Sequence, residues 1–301
     1  MTYDLIIIGA GPAGLTAAIY AARYKMKVLV IGEHLGGMAS EAHEICNFPT
    51  YKKITGDEFM QKINEQVKNL GVEIIPDSVI GIEKIDSIYN LKTNLKEYSA
   101  KKIILAMGSE KRKLKLENES KFIGKGVSYC ATCDAPFFRE KIVGVVGGSN
   151  SALTAALLIS KFADKVYIIY RQDNFFRAEK MWVEEIENND KIKIIFNSNV
   201  AELKGDNVLE GVKLDNGQEL KLDGLFIEIG SIPSVKIAES LGINLDGNHI
   251  KTDKEQKTNV SGIFAAGDIT NNPLKQIITA CSEGAIATNS AHLELNSEKN
   301  S

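Results

Sequence analysis

Cys130-Ala131-Thr132-Cys133-Asp134 concentrates the reactive chemistry of this chain. Two thiols at this spacing can close a small disulphide ring, or act as a dithiol in which one sulfur has a lowered pKa and attacks. The adjoining carboxyl, Asp134, can protonate a leaving thiolate or accept a thiol proton. It can equally serve as a turn residue ahead of Pro136. Zinc ribbons require a second Cys or His pair at tight spacing, and none is present. His34, His43, His249 and His292 likewise form no metal-ligand pair. Four cysteines in 301 residues do not make a disulphide scaffold. Cys46 and Cys281 read as ordinary small buried residues.

The Cys pair lies just ahead of the second of two strand–turn–helix patterns, and Cys-x-x-Cys beside such a pattern reads as a redox motif. The first pattern carries Gly9-Ala10-Gly11-Pro12-Ala13-Gly14. Gly9 permits the tight turn, Gly11 lets a pyrophosphate approach the backbone, and Gly14 lets helix and strand pack closely. The helix that starts at Pro12 offers free N–H groups and the positive end of its dipole. Glu33, 19 residues after Gly14, stands about where a ribose-binding acid belongs. The second turn, Gly147-Gly148-Ser149-Asn150-Ser151-Ala152, is degraded. Ser149 occupies its middle glycine position and is expected to crowd a pyrophosphate. Its strand end reads Tyr170-Arg171-Gln172 in place of an acid. Arg171 and Arg177 could neutralise a 2′-phosphate, which favours NADP over NAD. Gly267-Asp268 closes a short apolar strand, where the carboxylate could accept a hydrogen bond from a cofactor hydroxyl or cap the next helix.

Positioning these groups takes two α/β units. Residues 4–8 read as a strand buried on both faces, 12–24 as a helix with small alanines against the sheet, and 28–31 as the next parallel strand. A helix over 57–70 should stop at Gly71. Strands follow at 88–93 and 102–106, then a charged stretch at 110–121. The second βαβ pattern covers 142–170, Asp215-Asn216-Gly217 signals a hairpin, and 227–229 reads as a closing strand. A last helix is expected near 276–293, with a frayed polar tail after Glu294. The resulting fold class is α/β: two Rossmann-like three-layer domains, the second inserted into the first. Residues 1–111 plus 234–301 form one domain and 112–233 the other.

Composition sets the outer limits. Hydrophobic residues are 44%, charged residues 25%, and the net charge is −3. That is ordinary soluble composition and argues against a broad surface for nucleic acid or anionic membrane. No apolar run is long enough to span a bilayer, and the opening lacks a basic leader, so a cytoplasmic address is the expectation.

With these motifs in view, the chain closely resembles the low-molecular-weight thioredoxin reductases, homodimeric FAD enzymes of the pyridine-nucleotide disulphide oxidoreductase class. Gly9–Gly14 corresponds to their FAD pyrophosphate motif and Asn47-Phe48-Pro49 to their Asn-x-Pro flavin-loop segment. Ala265-Ala266-Gly267-Asp268 corresponds to the motif whose Asp meets the ribityl chain. Lys275-Gln276-Ile277 resembles the Arg-Gln-Ala segment at the flavin edge, with Lys for Arg. Cys130 to Asp134 matches the redox centre. The resemblance implies that Cys130 attacks the disulphide of thioredoxin or a thioredoxin-like protein, that Cys133 faces the flavin, and that Asp134 is the general acid. It also implies a swivel between domains at crossovers near 112 and 234. Departures cluster at the electron donor. Ser149 and Thr154 replace a Gly and a Glu, and Tyr170-Arg171-Gln172 replaces His-Arg-Arg, while Arg177-Ala178-Glu179-Lys180 is kept. NADPH is the expected donor, with NADH or a ferredoxin as alternatives. A disulphide oxidase using oxygen is a further enzyme reading, and a flavin-binding redox sensor without turnover is the reading from another class.

Overall fold

The computed structural model describes residues 1–299. Two compact units emerge: Met1–Glu110 together with Pro233–Ser301, and Lys111–Ile232. The chain crosses between them through two short strands, Ser109–Lys111 and Ser231–Pro233, which pair with each other.

In the first unit Thr2–Ile8 lies inside a seven-stranded sheet. It pairs in parallel with Val28–Ile31 on one side and with Glu97–Leu105 on the other. Ile263–Ala265 joins the same sheet alongside Glu97–Leu105. Leu5, Ile6 and Ile7 are completely buried. Leu5 and Ile7 enter a core shared with the helices, and Ile6 and Ile8 enter a second core on the opposite face. A strand covered on both faces has no polar alternation, which explains the unbroken apolar run.

Helix Pro12–Arg23 packs along the C-terminal helix Ile277–Lys299 through small residues. Ala17, Ala18 and Ala21 on the first, and Ala287 and Ala291 on the second, are fully buried. A Cβ at Gly284 would stand 2.1 Å from the carbonyl oxygen of Ala13, so the two backbones nearly touch there. Thr288 Oγ1 donates to the Ala17 carbonyl at 3.1 Å and fixes the register. Helix Gly56–Asn69 is started by Thr55, whose hydroxyl accepts the Glu58 N–H at 3.2 Å. It stops at Gly71, whose φ of 77° suits a left-handed C′ position.

The C-terminal tail departs from expectation. Helix Ile277–Lys299 continues past Glu294. The cause is Lys102, a nearly buried cation that pairs with Glu294 at 3.2 Å and Glu298 at 2.5 Å. Only residues 300–301 of the expected tail fall outside the described residues.

The second unit repeats the plan. Its five-stranded sheet runs Ile192–Ile195, Lys165–Ile169, Ile142–Val146, Gly224–Ile227, Val127–Ser128, all parallel. Helix Asn150–Ser160 follows the Gly147-Gly148 turn. The expected hairpin forms between Gly211–Leu214 and Glu219–Lys221, with Gly217 at φ 88°. Together with Val200–Lys204 it covers Val146, Ile169, Leu225 and Ile227.

Gly284→Ala adds a Cβ that no rotamer change can move away from the Ala13 carbonyl. The expected cost is about 1–3 kcal/mol of stability, read as a lower urea midpoint with an unchanged m-value.

Candidate functional site

The first glycine turn divides into positions the fold needs and one it does not. A Cβ at Gly9, which has φ 114°, would lie 2.2 Å from the Ala106 carbonyl oxygen. A Cβ at Gly14 would lie 1.8 Å from the Gly9 carbonyl oxygen. Gly11 is different. Its backbone is extended, φ −84° and ψ −171°, a conformation open to any residue. The nearest atom to a Cβ there is the Gly36 carbonyl oxygen at 4.0 Å. Gly11 therefore leaves open space directly at the start of helix Pro12–Arg23, where no side chain caps the N–H groups. A phosphate fits this vacancy by shape and charge. Pro12 and Ala13 open the helix, and Glu33 sits exposed just beyond Val28–Ile31, accepting from Ser78 Oγ at 2.7 Å.

The Gly267-Asp268 segment meets this turn from the C-terminal side, with a Cβ at Gly267 only 3.0 Å from Ala13 Cβ. Asp268 is half-buried, and burial pushes its carboxyl up while Lys275 and His249 pull it down. Its carboxylate takes no hydrogen bond among the described residues, which leaves an acceptor for a ligand hydroxyl. The loop is held from beneath by Glu283, which is 3% exposed. Glu283 accepts from the Gly267 N–H and the Thr270 hydroxyl, both at 2.8 Å, and from Asn272 Nδ2. Lys275 donates to the Thr270 carbonyl from the other side, and burial pulls its ammonium down. Gln276 precedes helix Ile277–Lys299 and accepts from Asn47 Nδ2 at 2.9 Å. That bond joins two expected site residues 229 positions apart. Asn47 also lines a cleft of about 520 Å³ formed by residues 46–52, in which Thr50 holds a φ of 81°. Glu283 and His249 had no sequence signal as site residues.

Cys130 and Cys133 form a disulphide with Cα atoms 5.3 Å apart. Cys130 caps the short helix Ala131–Asp134, and its sulfur accepts the Cys133 N–H at 3.2 Å. A backbone donor on the sulfur favours the thiolate when the pair is reduced. Cys130 is half-buried, whereas Cys133 is exposed. Ser128, nearly buried, ties the centre together. Its hydroxyl donates to Asp134 Oδ2 at 2.6 Å and accepts the Cys130 N–H at 3.1 Å. Tyr129 donates to Glu119, a buried carboxylate that also accepts the Leu114 and Lys115 N–H groups at 3.0 and 2.7 Å. Burial first, and Glu119 second, push the Tyr129 phenol well above its ordinary value. Lys111 donates to the Tyr129 carbonyl and pairs with Glu228 at 3.4 Å. The dithiol thus rides on a segment pinned at each residue before it. Ser128 and Glu119 were not foreseen from the sequence.

The second glycine turn keeps its frame. Gly147 has φ 143°, and a Cβ there would lie 2.1 Å from the Glu228 carbonyl oxygen, the counterpart of Gly9 and Ala106. Ser149 adopts φ −99° and ψ 175°, close to Gly11, and makes no capping bond. Asn150 and Glu179 bond reciprocally, Asn150 Oδ1 accepting the Glu179 N–H at 2.7 Å and Nδ2 donating to Oε1 at 2.8 Å. Ser151 and Arg171 are exposed, and the Arg177 guanidinium lies over the Phe176 ring at 5.3 Å. The side chain that meets the turn at Gly148 is Tyr170. Cys46 and Cys281 are half-buried rather than buried. The Cys46 thiol donates to Glu44 at 3.0 Å, and burial pushes the Cys281 thiol up.

Two Gly-rich cradles and a carboxyl-flanked dithiol define a nucleotide-linked disulphide oxidoreductase. The chain belongs to the pyridine nucleotide-disulphide oxidoreductase family, whose model matches residues 3–284. It is 40% identical to a thioredoxin reductase of Peptoclostridium acidaminophilum, over 99% of either chain. It also matches the crystal structure of Lactococcus lactis thioredoxin reductase with a TM-score of 0.94 and 37% identity, covering 98% of this chain and 99% of that one. A ferredoxin-flavin thioredoxin reductase from Clostridium acetobutylicum matches at 34% identity and a TM-score of 0.55, covering 98% and 99%.

Because the fold leaves space at Gly11, Gly11→Val should fold with near-normal stability yet purify without flavin. Thermal unfolding together with the 450 nm absorbance of the purified protein checks both halves. Full flavin occupancy would mean that the vacancy holds no phosphate.

Proposed function

We propose that this chain is an FAD-dependent thioredoxin reductase, passing electrons from NADPH through FAD and the Cys130/Cys133 pair to the disulphide of thioredoxin or a thioredoxin-like protein. The observation that carries this reading is the dithiol centre itself, with the Cys130 sulfur on a backbone N–H and Ser128 linking that residue to Asp134. Gly9, Gly11, Pro12, Ala13 and Gly14 would hold the FAD pyrophosphate and Glu33 a ribose hydroxyl. Asp268 would accept from the ribityl chain, and Asn47, Lys275, Gln276 and Ile277 would border the flavin ring. FAD, once reduced by the donor, would supply the two electrons that reduce the Cys130–Cys133 disulphide. The turn from Gly147 to Ser151, with Arg171 and Arg177, would hold NADPH. The protein acts as a homodimer in the cytoplasm, a reading that rests on the family resemblance. Among the described residues no helix is long and apolar enough to cross a membrane.

The chain's own residues account for disulphide exchange. The Cys130 thiolate attacks one sulfur of the thioredoxin disulphide. That S–S bond breaks, a mixed disulphide forms, and Asp134 delivers a proton to the thiolate that leaves. Cys133 then attacks the Cys130 sulfur, releases the second thioredoxin thiol and regenerates the Cys130–Cys133 disulphide. Two electrons have moved from the dithiol to thioredoxin.

Anaerobic titration of the flavin-loaded protein with NADPH, NADH or reduced ferredoxin tests the donor. Bleaching by NADPH first is expected. Failure of every donor to bleach it would favour a redox sensor without turnover.

Two variants check the division of labour. Cys133→Ser should trap a mixed disulphide between Cys130 and thioredoxin, visible on non-reducing gels, whereas Cys130→Ser should trap none. The reverse pattern would exchange the two roles, a real contest because Cys133 is the more exposed residue. Asp134→Asn should slow exchange by about 10²–10⁴-fold and keep full flavin content. An unchanged rate across pH 6–8, roughly the range around neutrality in which thiols begin to ionise, would reduce Asp134 to a turn residue.

A further inference from the structure

The two units permit an internal comparison at the same point of the same fold. In the first, Ile31 ends a strand and Gly32 follows. A Cβ on Gly32 would strike the turn residue Ala10, 2.7 Å from its nitrogen and 2.8 Å from its Cβ. In the second, Ile169 ends the equivalent strand and Tyr170 follows. Here the turn residue is Gly148, and a Cβ on it would lie 2.4 Å from Tyr170 Cε1 and Cζ. The sizes at this contact are exchanged: a bare backbone in the first unit, a phenol ring in the second.

The ring does not stand alone. Phe175 stacks on Tyr170 at 5.7 Å with planes 17° apart, and Phe196 packs on Phe175 at 5.1 Å. Phe196 follows Ile195, the end of the neighbouring strand. Tyr170 is 9% exposed, and the two phenylalanines are half-buried. Three rings therefore line the carboxyl ends of adjacent parallel strands beside a glycine turn. In a doubly wound sheet this is the crevice in which the adenosine half of a dinucleotide lies. The phosphate-facing positions remain usable, since Ser149 keeps the backbone of Gly11 and both arginines face solvent.

We propose that the Tyr170–Phe175–Phe196 stack is a plug in the adenosine half of the second unit, so that a nicotinamide dinucleotide seats there only by displacing it. The proposal rests on reading this unit as the donor site. It places the barrier to nucleotide entry in stacked rings next to the turn, rather than in Ser149 or in missing cations. Specificity among donors is then set by how readily the plug opens.

The test measures equilibrium binding by calorimetry to the flavin-loaded protein, with NADPH, 2′,5′-ADP and reduced nicotinamide mononucleotide as separate probes. Tyr170→Gly copies the arrangement of the first unit, and Phe175→Ala removes the cover while keeping the buried tyrosine. Both should bind NADPH and 2′,5′-ADP about tenfold more tightly than the parent, the scale of one aromatic pair. The mononucleotide, which lacks the adenosine half, should bind unchanged. Weaker binding of 2′,5′-ADP in the variants would make the rings a platform on which adenine stacks, and would overturn the plug. Unchanged affinity, or an equal gain for the mononucleotide, would overturn it as well. If Tyr170→Gly fails to fold, Phe175→Ala decides. Thioredoxin reduction by the dithionite-reduced parent protein tests the disulphide reductase reading separately, because that assay bypasses the nucleotide.

Discussion

A phosphate can reach a helix N-terminus only where no side chain stands between them, and the first unit is organised around that vacancy. Gly11 is bare although the local backbone would accept any residue. The neighbouring glycines serve the same opening indirectly. Gly9 and Gly14 bring helix and strand together, and Gly284 lets the last helix press on Ala13 at the cradle's rim. The alanines between those helices follow from this close approach, since larger residues would lift the helix off the sheet.

Each unit also buries a carboxylate that fixes a loop carrying chemistry. Glu283 holds Gly267, Thr270 and Asn272, and so sets the position of Asp268. Glu119 holds the N–H groups of Leu114 and Lys115 and the Tyr129 hydroxyl, and so sets the approach to Cys130. A buried carboxylate is costly unless its lone pairs are used, and three donors converge on each of these. The result is a rigid support under a half-exposed reactive group: an acceptor carboxylate in one case, a sulfur in the other.

What the sequence made legible was local. Apolar runs marked strands buried on both faces, Thr55 and Gly71 bounded a helix, and Asp215-Asn216-Gly217 marked a hairpin. Glycine spacing disclosed both cradles, and Cys130 to Asp134 the dithiol. What stayed hidden depends on residues distant in the chain. Nothing in the spacing of Glu283 or Glu119 separates them from surface acids. Lys102 holds the last helix turn across 192 and 196 positions, so a tail that reads as polar is helical. At the second turn the sequence directed attention to Ser149, because motifs are read along the chain. The ring at Gly148 comes from the neighbouring strand end, a relation that only the folded sheet supplies.

The paired strands Ser109–Lys111 and Ser231–Pro233 carry one more consequence. They bring the two ends of the 111–232 segment side by side, the condition under which one folded unit can be spliced into a loop of another. That makes the segment a cassette: its sheet, hairpin and dithiol are self-contained between two adjacent cut points. Recombination at these strands can therefore exchange the whole segment without redesigning the glycine cradle of the first unit.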